Sequence, residues 1–291
     1  MDHPGTILRI DLTAGTIEKE TIPASLRRDY LGGGGINDRL LWQHFLEIDP
    51  HIDPLSPDNV LIVGAGLLEG YGFGMGGKVK WTFKSPITHL FGDTSSGGRF
   101  GSTLKWGGYD PLVITGRAAK PVYSRIDDDE VEIRDATHAW GKDHVESDRL
   151  LREDFDDDQV DTALIGQGAE NLVRFGCIMV SRHRCGGRAG GGAVMGSKNL
   201  KGVVVRGTKV SRVHDPQALL AARDDLIAAL RSSGPLADAF RSQGTPILSE
   251  LYNIVGINAL HNNQRCIIPK DEAGLVETAF FHDNLATSRL A

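Results

Sequence analysis

The chain has 291 residues, 40% of them hydrophobic and 24% charged, with a net charge of −6. Such a chain buries a sizeable core and divides into more than one domain. Its acidic balance, with no long run of Lys or Arg, argues against nucleic acid or an anionic membrane as partner.

The amino terminus runs at once into the strand-like TILRIDL, which leaves no room for a signal peptide. No apolar run reaches membrane-spanning length. Three cysteines (Cys177, Cys185, Cys266) without paired spacing suggest neither a disulfide framework nor a zinc site. These features read as a soluble cytoplasmic protein.

TILRIDLTAGTIEKETI alternates apolar and polar residues around Ala14-Gly15 and predicts a β-hairpin. After GGGG (32–35) a helix is expected near Ile36, with Leu40, Leu41 and Phe45 on one face. NVLIVGAG reads as a buried strand, and KVKWTFKSP as an alternating one ending at Pro86. A short helix at 99–106 then leads into the strand PLVITG. PVYSRIDDDEVEIRDA predicts a second hairpin with its turn in the aspartates, so DDDE (127–130) reads as a solvated turn and not a metal site. DHVESDRLLRED reads as an amphipathic helix, and DTALIG, NLVRFGCIMV and KGVVVRG as strands.

From about residue 212 strand signals vanish. DPQALLAARDDLIAALRSSG has a helix start, a 3.6-residue period and a glycine stop, and two more helices are expected in PLADAFRSQG and TPILSELYNIVG. The predicted class is α+β: a β-rich domain over 1–210, then the beginning of an all-α domain over 211–291. Residues 97–118 and 191–209 share one order, a glycine loop, a short helix with Leu-Lys and a strand. That echo is either an internal duplication or chance.

The 36 glycines cluster at 32–35, 70–77, 97–101, 107–108 and 186–196, where backbone must turn sharply or approach something closely. GFGMGG (72–77) fits a dinucleotide fingerprint, but a strand pattern comes after it where a helix is required, which excludes that reading. RHRCGGRAGGGAVMGSKNLKG (182–202) nearly spells a phosphate-binding P-loop, with Gly191 and Gly196 at its spacing, yet Ser197-Lys198 reverses the required order. TSSGGRFG (94–101) reads as a hydroxyl-bearing loop ahead of a helix, whose first N–H groups lack partners. Arginines add phosphate-gripping guanidiniums to the second loop, and Lys78 adds a point charge near the first. Three such loops point to a phosphate-bearing anionic cofactor. Cys185, between arginines, is either a thiol of lowered pKa or a small residue filling a tight turn, and Cys177 reads as core. His183 has no identifiable catalytic partner.

LGGGGINDRLLW, KSPITHLFGDTSSGGRFGSTLKWGGYDPLVITGRA, VEIRDATHAWGKD, IGQGAENLVRFGCIM and RHRCGGRAGGGAVMGSKNLKGVVVRGTK, in this order, resemble the amino-terminal domain of the tungsten-containing aldehyde:ferredoxin oxidoreductase family. That family includes the tungsten subunit of class II benzoyl-coenzyme A reductases. The resemblance implies a base for a tungsten (or molybdenum) bis-pyranopterin whose metal is held by cofactor sulfurs and not by protein. It places pterin contacts on Lys78, on Ser95, Ser96 and Gly97, and on Arg184, Cys185, Gly186, Gly187 and Arg188. It also implies a magnesium ion between the pterin phosphates, met by the backbone carbonyls of Ser95 and Gly186. Lys78, Ser95 and Cys185 stand where the family has arginine, asparagine and alanine.

The implied reaction oxidises a small aldehyde to a carboxylic acid and passes electrons to ferredoxin. The implied alternatives are a benzoyl-coenzyme A reductase-type subunit, and a non-catalytic remnant pairing with a separate helical, iron–sulfur half or with its own copy. The family's Cys-x-x-Cys-x-x-x-Cys run for a [4Fe-4S] cluster is absent, and the sequence stops where its first cysteine is expected. A truncated frame, a split gene or a codon read as selenocysteine would each account for this. No residue is assigned a catalytic role.

Overall fold

The alternation around Ala14-Gly15 folds as predicted, with β1 (Thr6–Asp11) and β2 (Thr16–Thr21) pairing antiparallel. Asp11 closes the turn, its carboxylate accepting the N–H groups of Thr13 and Ala14 at 2.8 and 2.9 Å. The computed structural model describes residues 5–73, 77–210 and 213–269. It divides into two units, Met1–His214 and Asp215–Ala291.

The first unit continues with α1 (Ala24–Tyr30), α2 (Gly34–Glu47), β3 (Leu61–Ala65), β4 (Val79–Lys84), β5 (Phe91–Ser96), α3 (Phe100–Trp106) and β6 (Tyr109–Thr115). Next in the chain are β7 (Val122–Asp127), β8 (Glu130–Asp135), α4 (His144–Glu153), β9 (Asp161–Leu164), α5 (Gln167–Glu170), β10 (Ile178–Val180), β11 (Arg184–Gly186), α6 (Gly191–Ser197) and β12 (Leu200–Arg206).

These elements form two six-stranded sheets, ordered β2-β1-β6-β3-β4-β5 and β8-β7-β12-β9-β10-β11. Adding six to each strand number of the first sheet gives the second, and every neighbour direction is kept. β1 with β6 and β7 with β12 are parallel, and all other neighbours are antiparallel. The register of the echo is also kept: α6 starts 91 residues after α3 (191 against 100), and β12 starts 91 after β6 (200 against 109). The echo seen in sequence is therefore a structural repeat of the whole six-stranded plan.

Strand side chains alternate between faces, and here that alternation sorts the core into layers. Leu112 and Ile114 of β6, with Val203 and Val205 of β12, join one central cluster that also holds Trp81, Phe100, Leu104, Val194 and Met195. Val113 turns the other way, to pack with Ile36, Leu40 and Leu41 of α2; its equivalent Val204 packs with Leu151 of α4. The sequence pattern of β4 predicts alternation, but β4 lies inside its sheet and is buried along nearly its whole length. Even Lys84 is buried, its Nζ donating to the carbonyls of Pro50 (2.5 Å) and Ile52 (2.9 Å).

Four short elements are not visible as periodicity: α1, β5, α5 and β11. Residues 94–96, expected in a loop, extend β5 against β4, with Ser96 opposite Val79. Of NLVRFGCIMV only 178–180 is strand. The stretch before it folds back on itself, with Leu172 at φ +58° and Val173 N–H donating to Gly168 O at 2.9 Å. The 127–130 turn is less solvated than expected. Asp127 pairs with Arg206, Asp128 accepts the backbone N–H and hydroxyl of Thr208, and Asp129 pairs with Lys209.

In the second unit, Asp215 caps α7 (Pro216–Arg231) by accepting Ala218 N–H at 2.9 Å. Beyond it lie α8 (Pro235–Gln243), a 3-10 turn at Thr245–Leu248 and α9 (Ser249–Ile254). No residue of α7 is buried. Among the described residues no helix is long and apolar enough to cross a membrane.

Candidate functional site

β5 and β11 occupy equivalent positions on the outer edges of the two sheets, and those edges meet. Arg188 N–H donates to Thr94 Oγ1 at 3.2 Å, and Ser85 Oγ donates to the carbonyl of Ala189 at 2.9 Å. The contact is too close for a side chain at 186. A Cβ on Gly186 would lie 3.0 Å from Thr94 Cγ2 and 3.6 Å from Trp81 Cδ1. Ser96 is buried here, its Oγ accepting Trp81 Nε1–H at 3.1 Å, so the Ser96 hydroxyl is committed to the core.

Just past the strand ends, three glycine stretches converge. A Cβ on Gly77 would lie 3.1 Å from Gly98 O, and one on Gly97 would lie 3.7 Å from Arg184 Cδ. Gly98, at φ +107°, would bring a Cβ within 2.8 Å of Ser181. Lys78 precedes the Val79–Ser96 rung, so it stands beside Gly97. The structure thus brings Lys78, Ser95, Gly97, Arg184, Cys185, Gly186, Gly187 and Arg188 to one seam between the sheets. Residues 74–76 of the first glycine stretch lie outside the described residues. The next element after them is the strand β4, not a helix.

Charge at this seam is unbalanced. Lys78, Arg184 and Arg188 are all exposed, and none pairs with a carboxylate among the described residues. Their neighbours differ: Arg99 pairs with Asp161 at 2.9 Å, and Arg182 with Asp148 at 2.9 Å. Unpaired cations beside tightly packed glycine backbone can bind an anion through guanidinium, ammonium and peptide N–H groups together.

The repeat also relates two positions singled out in the sequence. Ser95 and Gly186 each lie five residues before the first residue of a helix, Phe100 and Gly191 respectively. Ser95 and Gly186 are thus equivalent backbone positions, one from each half, at the seam.

One of the two readings of Cys185 is removed, and the reading of Cys177 is corrected. Cys185 does not carry a lowered pKa: burial first, and then the neighbouring Cys177 thiol, push it up to about 11. Cys177 is half-buried and not core. The P-loop echo is also resolved. Gly191–Ser197 is buried helix, and Lys198 turns inward to donate to Pro57 O at 3.0 Å and Gly116 O at 3.1 Å. Burial lowers the Lys198 pKa to about 7.

Sequence reasoning missed Ser181. Its Oγ accepts the N–H groups of Arg99 and Phe100, both at 3.2 Å, and donates to Asp161 Oδ1 at 3.2 Å. A cap supplied from 82 positions away leaves no local signal.

A family model described as "Aldehyde ferredoxin oxidoreductase, N-terminal domain" matches residues 7–207. The tungsten-containing aldehyde ferredoxin oxidoreductase of Pyrococcus furiosus is 39% identical over 91% of this chain and 43% of its own length. The WOR-like subunit of an aliphatic sulfonate oxidoreductase from the same organism is 35% identical, over 75% of this chain and 36% of that protein. Among solved structures, a chain of the active-site complex BamBC of benzoyl coenzyme A reductase, in complex with 1,5-dienoyl-CoA, superposes with a TM-score of 0.75. It is 35% identical, over 79% of this chain and 34% of that one. The chain therefore spans about two fifths of the length of the relatives it matches.

Proposed function

The chain belongs to the aldehyde ferredoxin oxidoreductase family, and from that premise we propose that it provides the tungsten-pterin platform of an enzyme oxidising aldehydes to carboxylic acids. The observation that carries the reading is the set of exposed cations Lys78, Arg184 and Arg188, unpaired among the described residues, beside glycine backbone at the seam of the two sheets.

The residues present fit such a group. Gly186 lets the two edges approach where a Cβ would crowd Thr94, and Gly97 keeps its backbone beside Arg184. The three cations would hold the pterin phosphates. The equivalent carbonyls of Ser95 and Gly186 suit a hard cation such as magnesium, which prefers oxygen donors. When bound, the metal-pterin group supplies the two-electron chemistry. The chain's share is to orient the group and balance its charge. Ferredoxin is the proposed electron acceptor, and a [4Fe-4S] cluster would belong to the complete enzyme.

The test is anaerobic purification from a tungstate-supplied host, then metal, magnesium, phosphorus and pterin analysis. Arg184→Ala and Lys78→Ala should each weaken retention roughly ten- to hundredfold, the worth of one charge-assisted hydrogen bond. Retention unchanged in the double variant would overturn the reading.

Two further readings have an observation each. The superposition on the benzoyl coenzyme A reductase chain supports a platform serving a low-potential reduction; assaying aldehyde oxidation against aryl-CoA reduction separates the two. The helical unit supports pairing with a separate helical partner, since no residue of α7 is fully buried and Leu220, Leu230, Leu236, Phe240 and Ile254 are exposed. Sedimentation across a concentration series tests self-pairing.

A further inference from the structure

The β10–β11 hairpin gathers three sulfur atoms that the proposed function leaves unused. Cys177 Sγ lies 4.0 Å from Met179 Sδ, and Met179 is the direct cross-strand partner of Cys185. Directly opposed residues of an antiparallel pair share a face. Past the next rung, Ile178 against Gly186, the chain continues on that face with Cys177 and Gly187, and a glycine puts no side chain between Cys177 and Cys185. The Cys185 sulfur leans into that opening: it lies 3.3 Å from where a Cβ on Gly187 would be. There the Cys177 thiol lies close enough to help push the Cys185 pKa up.

From this arrangement we propose that Cys177, Met179 and Cys185 form a binding site for a soft monovalent metal ion of the Cu(I) class. Thiolate and thioether sulfurs select such ions over the hard cations that carbonyl oxygens take. The spacing also fits. A metal about 2.3 Å from each of two sulfurs 4.0 Å apart subtends an angle of about 120°, the angle of trigonal coordination. Both cysteines would bind as thiolates and release their protons to solvent. With the thioether neutral, the loaded site carries one net negative charge. Among the described residues no three His, Cys, Asp or Glu side chains come together as a metal site, so the thioether is what completes this one. The site is separate from the proposed magnesium position, which uses oxygen, although Cys185 adjoins Gly186.

The test titrates the 291-residue chain anaerobically with the Cu(I)–acetonitrile complex in competition with bicinchoninate. One equivalent should bind, and X-ray absorption should show three sulfur neighbours. Cys177→Ser and Cys185→Ala should each weaken binding at least tenfold. Met179→Leu should leave two sulfur neighbours. Cys266→Ser, in the other unit, should bind as the parent does. Circular dichroism checks that each variant folds. Should a Cys177 variant not fold, alkylation of Cys185 by iodoacetamide in the Cys266→Ser chain should abolish uptake, and prior Cu(I) should block the alkylation. No uptake, full uptake by Cys185→Ala, or loss only in Cys266→Ser would each overturn the proposal.

Discussion

Ser181 Oγ accepts the backbone N–H of Phe100 at 3.2 Å, so a serine in the second sheet's hairpin caps a helix of the first repeat. Arg99, the helix's own N-cap, makes no side-chain cap. The brace is returned, because Ser85, just past β4 of the first repeat, donates to Ala189 O ahead of α6. The two pre-helix segments that would hold the cofactor are therefore each fixed by the opposite repeat. Ser181→Ala should cost about 1 kcal/mol, the usual value of a helix cap, read as a lower urea midpoint with unchanged slope. An unchanged midpoint would show that solvent replaces the cap at no cost.

Gly98 combines a backbone angle of +107° with a neighbour, Ser181, that leaves no space for a Cβ. Gly98→Ala should therefore destabilise the first unit by roughly 1–3 kcal/mol through backbone strain alone, with the 2.8 Å contact added. The double variant Gly98→Ala/Ser181→Gly separates the two causes. Relief of only part of the loss is expected, since removing the serine side chain leaves the angle unchanged and also removes the cap. Chemical denaturation of the parent, both singles and the double supplies the measurement.

Much of this architecture was legible in the sequence, and the reasons for the rest are physical. Long apolar runs such as those of β3, β6 and β12 are buried and periodic, so they announce themselves. The echo of residues 97–118 in 191–209 foreshadowed a repeat that the sheet order then shows in full. β5 and β11 were hidden because Gly-Asp-Thr-Ser-Ser and Arg-Cys-Gly are mostly small or polar, with few of the β-branched and aromatic residues that mark strands. Their pairing comes from the neighbouring strands, not from local preference. At the seam, the resemblance pointed to Lys78, Arg184 and Arg188. Only the fold shows that, among the described residues, they lack carboxylate partners while Arg99 and Arg182 have them. The placement of Cys185 on one face with Met179 and Cys177 depends on cross-strand register, which spacing alone does not reveal.

Lys78 offers a substitution expected to gain affinity. An ammonium meets a phosphate as a point charge, whereas a guanidinium can meet two oxygens with a planar fork. On the proposed function, Lys78→Arg should slow loss of a phosphate-bearing pterin several-fold without altering stability, because Lys78 is exposed and unpaired among the described residues. Pterin fluorescence released over time reads the rate. Equal or faster loss would mean that Lys78 does not touch the phosphate.

Lys198 makes stability depend on pH in a direction that can be checked. Its side chain is fully buried, and burial, reinforced by Arg117, lowers its pKa from 10.5 to about 7; Asp58 and Asp11 partly oppose the shift. Between those values the unfolded chain holds a proton that the folded chain does not, so raising the pH favours folding. The contribution is complete above the unfolded pKa and is lost as the pH falls through 7. Over about pH 7.5 to 9.5 the gain should be on the order of 1 kcal/mol per pH unit. Burial lowers Lys105 and Lys201 in the same direction, so the parent's slope is shared. The decisive comparison is therefore with Lys198→Met, which cannot titrate. Urea midpoints of the two proteins should diverge as pH rises, with the parent gaining and the variant showing a shallower slope. Parallel slopes would mean that Lys198 stays protonated in the fold, held by the carbonyls of Pro57 and Gly116.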